Sequence, residues 1–288
     1  MRELNKTACG IGLTVLYFAL WVVPSAADEK AYFVTYDHHL EEPGSLELAY
    51  SPLAGFPRNA ANRFLGGLFE VGYGVRPWWT TEMYLGHQYT PGQGGAFTSF
   101  RWENRFRPLQ REHWINPVFY VEFAHKNEAD RSFREITGHS EIEELAEPIS
   151  VLKNEWENEL ELKLILSSDH KGWNISENFI AEKNLANKPW EFGYAWGVSR
   201  PLALVASPRP CSFCRENFRA GVEMYGGLGD RHDFGLKETS HYLAPVLSWH
   251  FAKQASMRFS PSFGLNNDSI PLLLRFGIMW EFSGIRRK

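Results

Sequence analysis

Residues 271–282 read Pro-Leu-Leu-Leu-Arg-Phe-Gly-Ile-Met-Trp-Glu-Phe. Taken alternately they fall into two unlike sets. Leu272, Leu274, Phe276, Ile278, Trp280 and Phe282 form one, and Leu273, Arg275, Gly277, Met279 and Glu281 form the other. Successive side chains of a strand point to opposite sides. The stretch therefore predicts a strand with one continuously apolar face and one face that carries charge.

The same alternation runs upstream. In 255–264, Met257, Phe259, Pro261 and Phe263 oppose Ser256, Arg258, Ser260 and Ser262. In 216–226, Phe218, Ala220, Val222 and Met224 oppose Arg219, Gly221 and Glu223. In 188–199, Trp190, Phe192, Tyr194, Trp196 and Val198 oppose Glu191, Gly193, Ala195 and Gly197. In 153–166, Trp156, Leu160, Leu162, Leu164 and Leu166 oppose Glu155, Glu157, Glu159, Glu161 and Lys163. In 68–75, Phe69, Val71, Tyr73 and Val75 oppose Glu70, Gly72 and Gly74. Noisier segments near 44–53, 78–89, 95–107, 114–126, 171–183 and 237–252 bring the number to about twelve. Most exceed the roughly five or six residues of a soluble strand and match the roughly nine to eleven of a tilted membrane strand. The mean hydropathy of −0.34 fits that reading, because in a membrane barrel only alternate residues face lipid. The expected fold is all-β, a transmembrane antiparallel β-barrel of about twelve strands. A secreted sandwich or jelly roll is the alternative.

The ends of the chain suit export. Arg2 and Lys6 precede an apolar run from Ile11 to Val23, followed by Pro24-Ser25-Ala26-Ala27. That order of positive charge, short apolar run and small residues is a signal peptide with cleavage after Ala27. The expected domains are a signal peptide at 1–27 and a barrel at 28–288, with a short basic tail at 283–288. If the chain starts inside, the odd connections face outward, and the longest, 127–149, falls among them. Inner turns should be the shorter set, and 200–215, which holds Cys211 and Cys214, is the exception. These two cysteines are expected to form a local disulfide staple; a redox pair is the alternative.

From Arg275 the last strand runs polar, x, Gly277, x, x, Trp280, x, Phe282. This resembles the assembly signal on the final strand of bacterial outer-membrane β-barrels. The resemblance implies an outer-membrane location, outer-membrane lipid as surroundings and the barrel-assembly machinery as a partner. The family's strand usually ends at the terminal aromatic, whereas six residues follow Phe282 here. A net charge of −4 gives no concentrated basic face for nucleic acid.

The inward face is expected to hold Glu47, Glu70, Glu82, Arg101, Glu103, Arg105, Glu122, Glu155, Glu157, Glu159, Glu161, Lys163, Glu191, Arg219, Glu223, Arg258, Arg275 and Glu281. Either these groups pair and fill the lumen, or the acidic stripe at 155–161 lines an aqueous path that favours cations. The leading functional expectation is a porin-like channel for small polar or cationic solutes. The alternatives are a barrel acting through its outer loops in a structural, sensing or adhesion role, and a lipid-modifying hydrolase. For the last, His139-Ser140, Ser240-His241 and Asp169-His170 are the nearest candidates, and none has the His-x-Ser-Asn-Gly context of outer-membrane phospholipase A. Asp37-His38-His39 with Glu41 and Glu42 reads as a polar periplasmic lead-in. On an extended chain His38 and His39 diverge, so no metal or other cofactor is expected. The acidic run 141–147 suits a short helical turn in the long outer loop. Trp79, Trp102, Trp114, Trp156, Trp173, Trp190, Trp196, Trp249 and Trp280 are expected to form interfacial girdles.

Overall fold

The computed structural model describes residues 30–133, 136–207 and 211–283. The expected signal segment and the end of the basic tail lie outside these residues. Twelve strands follow in order: β1 (Leu46–Phe56), β2 (Phe64–Arg76), β3 (Trp79–Thr90), β4 (Gly94–Phe106), β5 (Asn116–Asn127) and β6 (Trp156–His170). The second half comprises β7 (Trp173–Asn184), β8 (Trp190–Pro201), β9 (Phe218–Asp230), β10 (His241–Ala252), β11 (Ala255–Gly264) and β12 (Leu272–Phe282). Each pairs with the next, and β12 returns to β1, so the sheet is a closed antiparallel barrel. The closing seam sets Leu46 opposite Phe282 and Phe56 opposite Leu272. Closure leaves no unpaired sheet edge, which a strand protein in lipid requires. No helix among the described residues is long and apolar enough to cross a membrane.

Alternation sets what faces where. In β12, Phe276, Ile278, Trp280 and Phe282 are exposed, whereas Leu273, Arg275, Gly277, Met279 and Glu281 are buried inside. The outward set forms an apolar belt that includes Phe69, Leu85, Phe119, Leu164, Phe179, Leu247 and Phe259. Trp79, Trp173, Trp249 and Trp280 lie near the inner strand ends, and Trp156 and Trp190 at outer ones. Trp102 and Trp196 sit further along their strands, with their rings exposed. The β2–β3, β6–β7 and β10–β11 turns have two residues each.

Two segments without strand structure enter the barrel. Residues 30–45 run around its inner wall, with Ala31, Tyr32, Val34, Tyr36 and His38 buried. This corrects the expectation of a periplasmic lead-in. The segment has no sheet partner, so its backbone polar groups need others, and inward side chains supply them. The β5–β6 connection also turns inward, burying Ala129, Arg131, Ser132, Ile136 and Ile149. It carries a 3-10 turn at Ile142–Ala146 and a one-turn helix at Ile149–Leu152. Val34, Leu53, Phe64, Ile136, Ile180, Ala195, Tyr225, Tyr242, Ala244, Ile270 and Leu273 make an apolar core inside the barrel, built from both insertions and the wall.

Candidate functional site

Strand register gathers the inward acids into one row. Glu281 pairs with Glu47 across β12 and β1, and Glu47 with Gly72 of β2. Gly72 faces Glu82, Glu82 faces Glu103, and Glu103 faces Glu122. Glu122 then faces Glu161, Glu161 faces Glu182, Glu182 faces Glu191, and Glu191 faces Asp230. The row climbs. Glu47 is the second residue of β1, at its inner end, and Glu191 the second of β8, at its outer end; Asp230 beyond it turns its carboxylate to the N–H groups of His232 and Asp233. A line of carboxylates thus spirals along the lumen wall from one mouth to the other.

Like charges on directly opposed strand positions repel, so the row needs cations between its members. Arg105 reaches Glu82 and, at 2.9 Å, Glu103. Arg101 bonds Glu122 at 3.1 Å. Lys163 lies 2.7 Å from Glu161, with its ammonium over the rings of Tyr36 and Tyr120. Lys126 bridges Glu159 at 2.6 Å and Glu182 at 3.5 Å. At the lower end the cation is Lys30, from the internal segment. Its Nζ lies 3.1 Å from Glu47, 3.1 Å from Glu82, and also bonds Glu70. Burial pulls the Lys30 pKa down, but the three carboxylates outweigh it and hold it well above the ordinary lysine value. Lys30 therefore stays charged.

The rest of the segment is held by polar side chains of the wall. The Glu223 carboxylate accepts from three successive backbone N–H groups, Phe33 at 2.9 Å and Val34 and Thr35 at 2.8 Å. Asn178 exchanges two bonds with the Tyr36 backbone, 2.6 Å from its N–H and 2.8 Å to its carbonyl. Arg258 donates to the Tyr32 carbonyl, and the Tyr32 hydroxyl donates to Asn174 Oδ1 at 2.8 Å. Gly197 leaves room for the Tyr32 ring; a β-carbon there would lie 2.8 Å from it.

The outer loop is fastened in the same way. Asp130 bonds Arg101 at 3.2 Å, and Arg275 donates to the carbonyls of Ser132 and Phe133. Gly138 packs flat on the wall because a β-carbon at Gly227 would meet its carbonyl oxygen at 2.2 Å. Between this loop and the barrel wall, from β4 to β8 and on to β10 and the β11–β12 connection, lies a cavity of about 150 Å³. Nine carboxylates line it, namely Glu128, Asp130, Glu141, Glu144, Glu157, Glu159, Glu182, Glu191 and Asp268, against four cations, Arg101, Lys126, Arg131 and Lys188. Burial and Glu141 push the Glu144 carboxyl above the ordinary value. A smaller cavity of about 50 Å³ separates the loop from the internal segment, bordered by Lys30, Arg105, Arg258 and Arg275.

The remaining sequence candidates are dispersed. Glu155 is a correction: it precedes β6, exposed in the outer loop. Glu157 bonds Lys188 at 2.7 Å, so the 155–161 stretch is not a free acidic stripe. Arg219 reaches Ser199 at 3.3 Å. Cys211 and Cys214 are joined by a disulfide, and Trp249 Nε1 donates to the Ser212 carbonyl at 2.7 Å beside them. His241 bonds the Tyr194 hydroxyl and Thr239, whereas Ser240 donates to the Asp268 carbonyl. That arrangement gives Ser240 no base. The row member Glu182 was not among the sequence candidates, nor was Lys30; only register and the path of the internal segment reveal them.

No protein-family model and no curated protein sequence matches the chain. Solved structures do. The COG4313 outer membrane channel from Pseudomonas putida F1 superposes with a TM-score of 0.55 at 10% identity, covering 85% of this chain and 98% of that one. The KdgM porin gives 0.48 at 7% identity, covering 83% and 99%. The NanC porin gives 0.49 at 10%, covering 83% and 100%. What this chain shares with the outer membrane channel is the closed antiparallel β-barrel. At these identities the likeness carries the fold and nothing finer.

Proposed function

We propose that this barrel is a channel for small polar or cationic solutes, held shut in the described state by residues 30–45 and by the inward part of the outer loop. The observation that carries the reading is the carboxylate row, which joins an acidic outer cavity to the inner mouth. Rings and lines of carboxylates favour cations in confined water. The closure supports gating: both insertions are held largely by side-chain contacts, with backbone bonds to the strands at Gly44, Ser45 and Gly138. Lys30 sits on the row where a permeating cation would, so the segment acts as a tethered blocker. A solved barrel of similar fold is itself described as an outer membrane channel.

A second reading rests on the density of ion pairs. Charges buried in pairs stiffen a lumen, and a permanently filled barrel would act through its outer loops. Planar-bilayer conductance of the refolded protein separates the two. The full chain should conduct rarely. A variant lacking residues 30–41 should give stable cation-preferring steps, and Glu122→Gln or Glu182→Gln in that background should lower the preference. If the folded deletion variant is silent, the channel reading fails and the filled barrel stands.

A further inference from the structure

A separate cluster lies at the inner end of the barrel, off the carboxylate row. The chain bends at His38, and the Asp37 carboxylate accepts from the His39 backbone N–H at 2.9 Å. The bend places the two imidazoles on one side, with ring centres 4.2 Å apart. This overturns the expectation that they diverge, which assumed an extended chain. Their Nε2 atoms face two carboxylates of the inner turns. His39 Nε2 is 3.2 Å from Asp169 Oδ2, and His38 Nε2 is 3.9 Å from the same oxygen and 3.0 Å from Glu112 Oε2. Metal bonds of about 2.0–2.2 Å in a tetrahedron separate ligand atoms by roughly 3.3–3.6 Å. The observed separations bracket that range.

The outer contacts match as well. His38 Nδ1 bonds Ser167 Oγ at 2.8 Å, and His39 Nδ1 lies 3.2 Å from Asp37 Oδ1. Ligating histidines characteristically use the second ring nitrogen in this way, which fixes the ring and raises its basicity. Ser167 also accepts from Ser176 Oγ at 2.8 Å and is buried, so it orients His38 and is no accessible nucleophile. Arg107 bonds Glu112 at 2.5 Å, so Glu112 borders the site beside His38 and is held by another partner.

We propose that His38, His39 and Asp169, whose ligand atoms all lie within 4.8 Å of one another, form a site for one divalent transition-metal ion of the zinc type, which fastens the internal segment to the barrel wall. Two ligands come from the segment and one from the end of β6. An ion that binds only the docked segment adds its binding free energy to docking. Two imidazoles select zinc-like ions over magnesium, which prefers oxygen ligands and keeps its water.

The test uses the refolded full chain in detergent, stripped with chelator and titrated calorimetrically with zinc chloride, with magnesium chloride as control. Expected are one zinc per chain, no magnesium heat, loss of saturable binding in Asp169→Asn and His39→Gln, and binding weakened about 10- to 100-fold in Ser167→Ala. Circular dichroism confirms folding of each variant. No saturable binding by folded protein overturns the site, and so does equal affinity in Asp169→Asn and His39→Gln. The fastening is read with a thiol probe at Ala31→Cys: zinc should slow its labelling and chelator restore it, and labelling indifferent to zinc overturns the fastening. Neither readout depends on conduction, so a barrel that binds zinc yet never conducts sinks the channel reading and spares this one.

Discussion

Replacing Glu223 with glutamine should loosen the internal segment by an amount the geometry sets. One carboxylate oxygen accepts from Phe33, and the other from both Val34 and Thr35. Glutamine keeps one acceptor oxygen and turns the other position into an NH2 donor. In its best orientation the amide oxygen keeps the Val34 and Thr35 bonds, now neutral, while the Phe33 N–H meets a donor. Bonds to a charged group contribute about 1.5–3 kcal/mol each and neutral ones about 0.5–1.5. One is lost and two are weakened, and relief from burying the charge offsets part of this. The net cost is about 2–4 kcal/mol, so the undocked population should rise roughly 30- to 1,000-fold. Maleimide labelling of Ala31→Cys, buried beneath the segment's contacts, measures that population in a Cys9→Ser background, since Cys211 and Cys214 are already bonded to each other. Bilayer recordings should show matching growth in openings. Labelling that changes by less than about threefold, under roughly 0.7 kcal/mol, would refute the assignment of Glu223 as the anchor.

Three further outcomes follow from other contacts. Burial, then repulsion from Glu82 and Glu70, outweighs Lys30 and Arg105 and pushes the Glu41 carboxyl up to about 7. The docked segment thus keeps a proton that a released one gives up near pH 4.3; this contribution of Glu41 to docking is complete in acid, falls as pH rises to about 7 and then levels off, and labelling in Glu41→Gln should lack it. Gly227→Ala would place a β-carbon 2.2 Å from the Gly138 carbonyl, so the outer loop should lift and become more sensitive to protease, with circular dichroism unchanged. Cys214→Ser opens a very short ring, worth about 2 kcal/mol on the chain-entropy account; the variant should unfold at slightly lower urea, with conductance unaltered.

What the sequence made legible was local. Two-residue periodicity needs only neighbouring positions, so Leu272 to Phe282 and its counterparts showed strand number, length and inward face. Register is not local. Glu82 and Glu103 meet because the β3–β4 turn has three residues, and Glu122 meets Glu161 across a long folded loop. Each of these acids reads as inward, but nothing in the sequence alone lines them up, and Glu182 passes unnoticed in a noisy strand. Glu155 has the right parity but lies just before β6 begins. The internal segment has no period at all. Its signals were Ala31-Tyr32-Phe33-Val34, too apolar for a solvated lead-in, and a small residue, Gly197, at an inward position that now faces the Tyr32 ring.

The electrostatics of the row tie closure to occupancy. Glu82 keeps Arg105 when the segment leaves, and Glu122, Glu161 and Glu182 keep Arg101, Lys163 and Lys126, all on strands. Glu47 and Glu70 depend on Lys30. Uncompensated charge inside a barrel is costly, so release of Lys30 must bring water, protons or another cation to those two acids. A solute cation that stands in for the Lys30 ammonium therefore favours release, whereas an anion gains nothing at this position. Opening and cation binding at the inner mouth are then one equilibrium, and a ligand shifts it only through its preference for the open form. In the channel proposed above, the blocker and the selectivity of the path rest on the same carboxylates.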